Sequence, residues 1–352
     1  MKALVYYGNK DIRLEKNWPD PKLKDDNDAV IKINYTGICA TDIEEWQFGP
    51  LWMQSGETNP YSGKMIPLVA GHEITGEVLE LGKGVKDLNI GDRVVVNNVI
   101  HCNRCFWCLN GQGGGCSGMC VAGFMDDGGL AEFMRWPASH LIRISDNVPT
   151  ENAALMEPTM VACHAVRKSG VKPGDNVAVL GCGTVGLLTV QVLKAAGAKV
   201  TALDIRKESL DLAKLLGANF VFNTSDSDII NSMFDITDGI GHDIVFETAG
   251  GAETPRLAIN YTRKGGRTIL VGIYSAEPKM DFNEIVNSER EVIGSVAASP
   301  GDMEAAVHLL NEGKIDATPL ISEVVSLDNV IQEGYERMNK GMKDVFRVLV
   351  KP

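Results

Sequence analysis

Four cysteines stand close together in the stretch HCNRCFWCLNGQGGGC, which covers residues 101–116. They are Cys102, Cys105, Cys108 and Cys116, spaced as C-x2-C-x2-C-x7-C. Four thiolates complete the tetrahedral shell of a structural zinc and leave no position open for a substrate. The spacing therefore predicts a structural-zinc loop over about residues 100–120, rather than free thiols or a catalytic centre. Cys120 is a fifth sulfur without a place in this shell.

A second set of metal-ligand residues is scattered along the chain. A catalytic zinc keeps one coordination position open and mixes ligand types. Cys39 in GICATD, and His72 and Glu73 in GHE, lie in glycine-flanked turns. Glu157 is followed by Pro158, which favours a local break in a helical stretch. Because isolated His and Cys residues are more often structural, the pattern alone leaves this second zinc site as a hypothesis.

The stretch NVAVLGCGTVG carries a dinucleotide-binding pattern. Gly181, Gly183 and Gly186 form G-x-G-x-x-G directly after a predicted strand and at the start of a predicted helix. The first glycine permits a tight turn, the second lets the backbone approach a pyrophosphate, and the third allows close helix–strand packing. The loop residues Thr184 and Val185 open the helix, whose N-terminus favours phosphate.

The next predicted strand ends at Asp204, 18 residues after Gly186. Its carboxylate is expected to accept hydrogen bonds from the adenosine ribose and to repel a 2′-phosphate, which predicts NAD rather than NADP as the cofactor. Arg206 would weaken that preference. Val271 and Gly272, at the end of the later apolar run GRTILVGI, are further candidates for cofactor binding.

The elements that must position these residues fall into two patterns. Short β segments separated by Gly and Pro fill the first 150 residues and predict a barrel-like, mostly antiparallel domain. From about residue 174 strands and helices alternate, which predicts an α/β fold with a doubly wound parallel sheet. Between them, residues 149–170 are predicted as helix. Near the C-terminus, GDMEAAVHLLNEGKI predicts one helix and FRVLVK a strand.

Composition narrows the classes of partner. Lys and Arg number 34 against 46 Asp and Glu, for a net charge of −12. An acidic chain is a poor ligand for nucleic acid or anionic membranes. No stretch reaches the apolar length of a membrane span, and the first residues lack the features of a secretion signal. Eight cysteines are too few for a disulfide scaffold, so we expect a cytoplasmic protein with metal-bound thiolates.

The motifs together make the chain resemble the zinc-containing medium-chain dehydrogenases over essentially all 352 residues. The resemblance lies in GICATD, VAGHEITGEVLELGKGV, IGDRVVV, the four-cysteine loop, EPTMVACHAV and VLGCGTVG. It implies a GroES-like catalytic domain over residues 1–156 and a Rossmann NAD-binding domain over 157–296. Residues 297–352 are then expected to return to the catalytic domain.

The resemblance also implies site roles. Residues matching Cys39, His72 and Glu157 hold the catalytic zinc in the family, and the residue matching Glu73 joins them or lies just behind. Two zinc ions per chain are therefore expected, one catalytic and one structural. Thr41 matches a proton-relay hydroxyl, although it could also cap the helix that starts near it. Glu44 stands where relatives often carry His, so either Glu44 relays the proton or protons leave through the ribose and water.

The long segment that begins DIEEWQFGP looks most like the butanediol dehydrogenase branch, with sorbitol and other polyol dehydrogenases close to it. We therefore expect NAD-dependent oxidation of a small alcohol, a vicinal diol or polyol such as 2,3-butanediol or a sugar alcohol. Aromatic and apolar side chains of this segment could line the pocket or pack the loop itself: Trp46, Phe48, Leu51 and Trp52.

Several alternatives stay open at this point. Within the same chemistry, the substrate could be a cyclic, inositol-type polyol or L-threonine. From other classes, a zinc-free enone or quinone reductase and a non-catalytic dinucleotide-binding protein are possible. Family members are dimers or tetramers, so we expect a homodimer or homotetramer in which EVIGSV, residues 291–296, is an edge strand that pairs between subunits.

Overall fold

The structure is a computed structural model that describes residues 1–53, 55–274, 276–341 and 345–352. The chain forms two compact units. The first comprises Met1–Glu157, Ser299–Asn311 and Ala317–Pro352, and the second comprises Pro158–Ala298 and Glu312–Asp316. The second unit is thus inserted into the sequence of the first. The short segment 312–316, which the sequence analysis placed with the catalytic domain, belongs to the second unit.

The strands, in chain order, are β1 (Ala3–Gly8), β2 (Asp11–Glu15), β3 (Asp28–Ile38), β4 (Leu68–Val69), β5 (Glu73–Leu81), β6 (Arg93–Val96), β7 (Val99–Ile100), β8 (Cys120–Val121), β9 (Phe133–Pro137), β10 (Leu141–Arg143), β11 (Asn176–Leu180), β12 (Lys199–Asp204), β13 (Phe220–Asn223), β14 (His242–Glu247), β15 (Thr262–Leu270), β16 (Glu291–Gly294), β17 (Ile321–Ser326) and β18 (Arg347–Lys351).

The α-helices are α1 (Ala40–Phe48), α2 (Phe106–Leu109), α3 (Thr150–Ala153), α4 (Met156–Ser169), α5 (Thr184–Ala195), α6 (Lys207–Leu215), α7 (Ile229–Asp235), α8 (Thr254–Tyr261), α9 (Asn283–Val286), α10 (Asp302–Asn311) and α11 (Glu336–Asn339). A π-helical turn covers Val330–Tyr335. None of the described helices is both long and apolar enough to cross a membrane.

The first unit is built on a mostly antiparallel sheet, as predicted. Its strand order is β10-β6-β5-β3-β18-β17, and β9 pairs with β3 beside this path. Among the described strand pairs of this sheet, only β17 and β18 are parallel. Strand β3 is buried along most of its length because it pairs with β5, β9 and β18. Its inner residues pack with Ile74, Val94 and Trp136 to form one of the hydrophobic cores.

The second unit confirms the predicted doubly wound fold. Its sheet has the order β13-β12-β11-β14-β15-β16, and all neighbouring strands are parallel. The strand order reverses between β11 and β14. In open α/β sheets, ligands bind outside the carboxyl ends of the strands at such a switch point. The glycine-rich turn lies at this point, because it directly follows β11.

Two helical predictions differ from the structure. The helix predicted over residues 149–170 is split into α3 and α4, with the buried residues Ala154 and Leu155 between them. The helix predicted over residues 301–315 ends at Asn311, close before Gly313, whose φ of 65° lies in the left-handed region. Glycine adopts that conformation without strain and commonly ends helices.

Candidate metal centres and dinucleotide site

Cys39 lies at the junction of β3 and α1, where the chain turns from strand to helix. It is the N-cap residue of α1, and Asp42 Oδ2 accepts a hydrogen bond from its backbone N–H at 2.8 Å. Asp42, rather than Thr41, therefore caps this helix. Thr41 lies in the first turn, with its Oγ1 3.6 Å from Cys39 Sγ. The cap fixes the direction in which the thiol leaves the end of the strand.

His72 is held by the same carboxylate. Its Nδ1 lies 3.1 Å from Asp42 Oδ1, and its ring is buried 4.7 Å from the ring of Phe124. Because a carboxylate accepts but does not donate, Nδ1 carries a proton, and Nε2 is the nitrogen that a metal ion would take in place of a proton. Burial lowers the pKa of His72, but the charge and hydrogen bond of Asp42 outweigh burial and raise this pKa well above its usual value. The carboxylate equally favours a metal cation at Nε2.

The turn before His72 depends on glycine. Gly71 has φ of 90°, and a Cβ there would lie 2.6 Å from Leu130 Cγ. The burial of this turn explains why the GHE motif needs a residue without a side chain before its histidine.

Glu73 begins β5 and is completely buried. Its partner across the sheet is Gly37, where any side chain would collide with the Glu73 carboxylate. Arg347 Nη1, on β18, lies 3.0 Å from Glu73 Oε1 and also donates to the carbonyl of Ile38 at 2.7 Å. Burial raises the pKa of Glu73 well above its usual value, and the Arg347 guanidinium opposes that shift. Neither carboxylate oxygen has a hydrogen-bond partner in the described part of the chain.

Cys39, His72 and Glu73 form a compact group. One ligand atom from each lies within 4.8 Å of the others. Burial raises the pKa of the Cys39 thiol, but a hydrogen bond from His72 and the charge of Arg347 outweigh it and bring this pKa to about 7. A sulfur, an imidazole nitrogen and a carboxylate oxygen are the mixed donors that catalytic zinc uses. The residues therefore fit a zinc ion.

Glu157 lies in the first turn of α4, which directly follows the break at residues 154–155. It is half-buried, and it is not a member of the compact group. Burial raises the pKa of Glu157, while the charge of His72 and a hydrogen bond from Asn98 oppose the shift. Its carboxylate is thus electrostatically coupled to His72. Glu44, farther along α1, is exposed, and partial burial of its carboxyl raises its pKa.

The four cysteines of the predicted structural-zinc loop come together. One sulfur from each lies within 4.8 Å of the others. The Cys105 and Cys108 sulfurs are 3.5 Å apart, and those of Cys102 and Cys108 are 3.9 Å apart. Sulfurs on a tetrahedral zinc with Zn–S bonds of about 2.3 Å are separated by about 3.8 Å. The backbone N–H of Cys108 lowers the pKa of Cys105 to about 6, which favours a thiolate. The loop fits a closed zinc site.

The surroundings of Cys120 differ from those of the four loop cysteines. It lies on β8 and is fully buried in the core that contains Ile100 and Trp136. Burial raises the pKa of its thiol to about 12. A buried protonated thiol is a small apolar core residue, so Cys120 packs beside the zinc loop without belonging to its ligands.

The glycine-rich turn has the geometry that a pyrophosphate site needs. Gly181 has φ of 99°, and a Cβ there would lie 2.7 Å from the backbone nitrogen of Ala249. A Cβ at Gly186 would collide with the carbonyl of Gly181. Gly183 caps α5 and faces open space. Thr184 and Val185 form the first turn of α5, at the helix end that favours a bound phosphate.

Asp204 connects this turn to the end of β12. Its Oδ2 accepts the backbone N–H of Cys182 at 2.7 Å, and its Oδ1 accepts that of Arg206 at 2.8 Å. Arg206 Nε lies 3.5 Å from Asp204 Oδ1. On the neighbouring side of the switch point, the N–H groups of Val271 and Gly272 donate to the Glu247 carbonyl at 2.8 and 3.1 Å.

Sequence reasoning missed three residues that organise these sites: Asp42, Arg347 and Glu247. A signal existed for Asp42, because an acidic residue three positions after an N-cap commonly completes a capping box. Arg347 gave no local signal, because it meets Glu73 only through the pairing of β18 with β3.

Comparison with known proteins identifies the family. Residues 25–146 match the alcohol dehydrogenase GroES-like domain, and residues 184–312 match the zinc-binding dehydrogenase model. Among curated relatives, (R,R)-butanediol dehydrogenase of Bacillus subtilis is 34% identical over the full length of both chains. Sorbitol dehydrogenase of Halalkalibacterium halodurans is 32% identical over 100% of this chain and 99% of its own.

Solved structures agree with these relatives. The crystal structure of 2R,3R-butanediol dehydrogenase from Bacillus subtilis has a TM-score of 0.90 at 33% identity, and covers 100% of this chain and 99% of its own. A zinc-binding dehydrogenase from Sinorhizobium meliloti bound to NADP has a TM-score of 0.88 at 28% identity, with the same coverage. The chain therefore belongs to the zinc-binding alcohol and polyol dehydrogenase family, with a GroES-like domain and an α/β dinucleotide-binding domain, and is an oxidoreductase.

Proposed function

We propose that this dehydrogenase oxidises a secondary hydroxyl of a vicinal diol or acyclic polyol and passes the hydride to NAD. The observation that carries the proposal is the compact group of Cys39, His72 and Glu73, in which Asp42 orients the imidazole. The names of the relatives support the substrate class, since butanediol and sorbitol each carry a secondary hydroxyl beside another hydroxyl.

For the catalytic zinc we assign Cys39 and His72 to two positions and a carboxylate to the third. Glu73 is supported by its proximity to both, and Glu157 by the family resemblance and its coupling to His72. Bound zinc acts as a Lewis acid that lowers the pKa of a hydroxyl bound to it. Cys102, Cys105, Cys108 and Cys116 would hold the second, structural zinc.

Thr41 and Glu44 are proposed to move the proton that the alcohol loses. The Thr41 hydroxyl lies beside Cys39 Sγ and can accept a proton as it donates its own. Glu44 follows three positions later on α1, and residues at this spacing share a helix face. Since the Glu44 carboxyl is exposed, it can exchange the proton with solvent.

For the cofactor we propose NAD, bound by Gly181, Gly183, Thr184, Val185 and Gly186 through the pyrophosphate. Asp204 uses one lone pair of each oxygen for backbone N–H groups, which leaves others for ribose hydroxyls. Its negative charge disfavours a 2′-phosphate. Arg206 stands beside it, and the similar structure from Sinorhizobium meliloti is bound to NADP. A preference for NADP is therefore the alternative to test.

We further propose a homodimer or homotetramer in the cytoplasm. Strand β16 is the edge strand of the parallel sheet, and most of its residues are exposed. An open edge of this kind is a natural surface for pairing with a second copy. None of the eight cysteines in the described residues forms a disulfide, which agrees with a reducing compartment.

The test is turnover of a substrate panel by protein with both zinc sites filled. The panel contains the 2,3-butanediol stereoisomers, sorbitol, xylitol, myo-inositol and L-threonine, each with NAD and with NADP. We expect reduction of NAD with an acyclic diol or polyol. Turnover of only inositol or threonine would overturn the substrate proposal. Absence of turnover from zinc-loaded protein would overturn the proposal of an alcohol dehydrogenase.

A further inference from the structure

A buried carboxylate in the second unit is held by four donors. Glu247 ends β14 and has no exposed surface. Its Oε1 accepts the backbone N–H groups of Ala249 and Gly250, both at 2.9 Å, and the Thr254 hydroxyl at 2.7 Å. Its Oε2 accepts the hydroxyl of Tyr274. Such donors stabilise a buried carboxylate because they replace the water that it has lost.

These hydrogen bonds join two segments at the carboxyl edge of the sheet. The first, residues 248–250, lies against the glycine-rich turn, because Thr248 Oγ1 donates to the Gly181 carbonyl at 2.6 Å. The second, residues 271–274, follows β15. A Cβ at Gly272 would lie 2.5 Å from the Gly250 nitrogen, so the two segments are in direct backbone contact.

Tyr274 is the side chain of the second segment that reaches this carboxylate. Burial, followed by the hydrogen bond to Glu247, raises the pKa of the Tyr274 hydroxyl, which therefore stays protonated and donates. The side chain of neighbouring Ile273 is exposed and does not anchor the segment. The Tyr274 hydroxyl is thus the anchor for the end of this segment.

The position of the two segments indicates what they serve. In a doubly wound sheet the two halves of a dinucleotide bind on opposite sides of the switch point. Asp204, the ribose candidate, is on β12 and marks the adenosine side. Segments 248–250 and 271–274 follow β14 and β15, on the other side, where the nicotinamide half is expected.

We propose that Tyr274 and Glu247 form a positioning pair that holds residues 271–274 against residues 248–250 in the shape that binds the nicotinamide half of the cofactor. This inference rests on the proposed use of a nicotinamide dinucleotide. The pair contacts backbone rather than the reacting atoms, so it acts on cofactor affinity through Val271 and Gly272.

The test compares dissociation constants for NADH and for ADP-ribose, which lacks the nicotinamide, in the zinc-loaded full chain. For Tyr274→Phe we expect the Kd of NADH and the KM of NAD to rise about 10-fold, as for loss of one hydrogen bond to a charged group. The Kd of ADP-ribose should change less than twofold. Tyr61→Phe, at an exposed tyrosine of the first unit, is the matched control and should leave all these values unchanged.

A double-mutant cycle with Glu247→Gln adds a second measurement. Because the two residues act as one unit, the double variant should bind NADH no more weakly than the weaker single variant. If the fold-changes of the two single variants multiply in the double variant, the proposed pair is wrong. It is also wrong if Tyr274→Phe leaves the Kd of NADH unchanged, or weakens ADP-ribose binding as much as NADH binding. If wild-type protein binds NADH but oxidises no alcohol, the proposed function fails while this test still decides on the pair. If it binds no dinucleotide, both fail.

Discussion

Asp42 Oδ1 lies 3.1 Å from His72 Nδ1, while Asp42 Oδ2 accepts the backbone N–H of Cys39. One carboxylate therefore sets both the direction of the candidate thiolate ligand and the tautomer of the candidate imidazole ligand. Changing a carboxylate that orients a metal-bound histidine typically costs about 10- to 100-fold in metal affinity or activity.

Replacing Asp42 with Asn is expected to weaken zinc binding at the catalytic site by about 10- to 100-fold, because Asn has no charge to polarise His72. Its side-chain oxygen can still cap α1, so the helix should persist. Competition with a chromogenic chelator measures the affinity. Asp87→Asn, at an exposed acid, is the control. Unchanged affinity in Asp42→Asn would show that the Asp42–His72 contact does not support a metal.

Cys105→Ser should remove one of two zinc ions per chain and make residues 100–120 sensitive to protease, because three thiolates do not close a structural site. Cys120→Ser should keep both ions and instead lower the unfolding temperature, since it buries an extra polar group in an apolar core. Zinc analysis together with limited proteolysis distinguishes the two variants. Loss of zinc from Cys120→Ser would contradict the ligand assignment.

Asp204→Ser is expected to lower kcat/KM for NAD by about 10- to 100-fold, the cost of losing hydrogen bonds to a charged acceptor. The kcat/KM for NADP should rise relative to the kcat/KM for NAD, because the repulsive charge of Asp204 is gone and Arg206 remains. Initial rates with both cofactors measure the ratio. Wild-type preference for NADP would contradict the role given to Asp204.

Glu44→Gln should remove one ionisation from the pH profile of kcat, because an amide neither takes up nor releases a proton in this range. Glu44→His should restore an ionisation at a pH nearer to about 6.5. Rates between pH 5 and pH 10 are the measurement, with the exposed Glu80→Gln as control. If Glu44→Gln keeps the wild-type profile, protons leave by another route.

His242 should make the second unit less stable in acid. It is buried beside Thr201 Oγ1, at 3.1 Å from its Nε2, and burial lowers its pKa from 6.5 to about 4. Between these values the unfolded chain binds a proton that the folded chain does not. The free energy of unfolding therefore falls as pH drops from about 6.5 to 4, by about 3 kcal/mol in total from this residue.

Urea unfolding at pH 4 to 8 tests this expectation by comparing the wild-type protein with His242→Gln. The variant should lose that part of the pH dependence, whereas His308→Gln, at an exposed histidine, should retain it. Equal slopes for wild type and His242→Gln would show that burial of His242 does not depress its pKa.

The fold was largely predictable because its signals are local. Alternating strands and helices predicted the parallel sheet, and ligand number alone distinguished the four-cysteine loop from the residues proposed for the catalytic zinc. The split between α3 and α4 lies close to the local break that Pro158 indicated, because α4 begins at Met156 and a proline is tolerated in the first turn of a helix.

Contacts between distant residues were beyond the sequence. Trp46 was expected to line a pocket or to pack its own loop. It packs edge-on against Tyr335, with ring centroids 5.8 Å apart, while Phe48 is exposed. Glu247 likewise reads as an ordinary strand end, and only the folded segment 271–274 brings Tyr274 to it. Such pairings follow from strand order, which no single stretch of residues encodes.

The pairing of Arg347 with Glu73 has a consequence for the order in which the protein is made. Glu73 is synthesised early, but β18, which carries its cationic partner, follows the entire inserted dinucleotide-binding unit. During translation β3 therefore has no β18 to pair with, and Glu73 has no Arg347 beside it, until the second unit has emerged. The site assembled around residue 39 is in this sense completed last, although most of it is translated first.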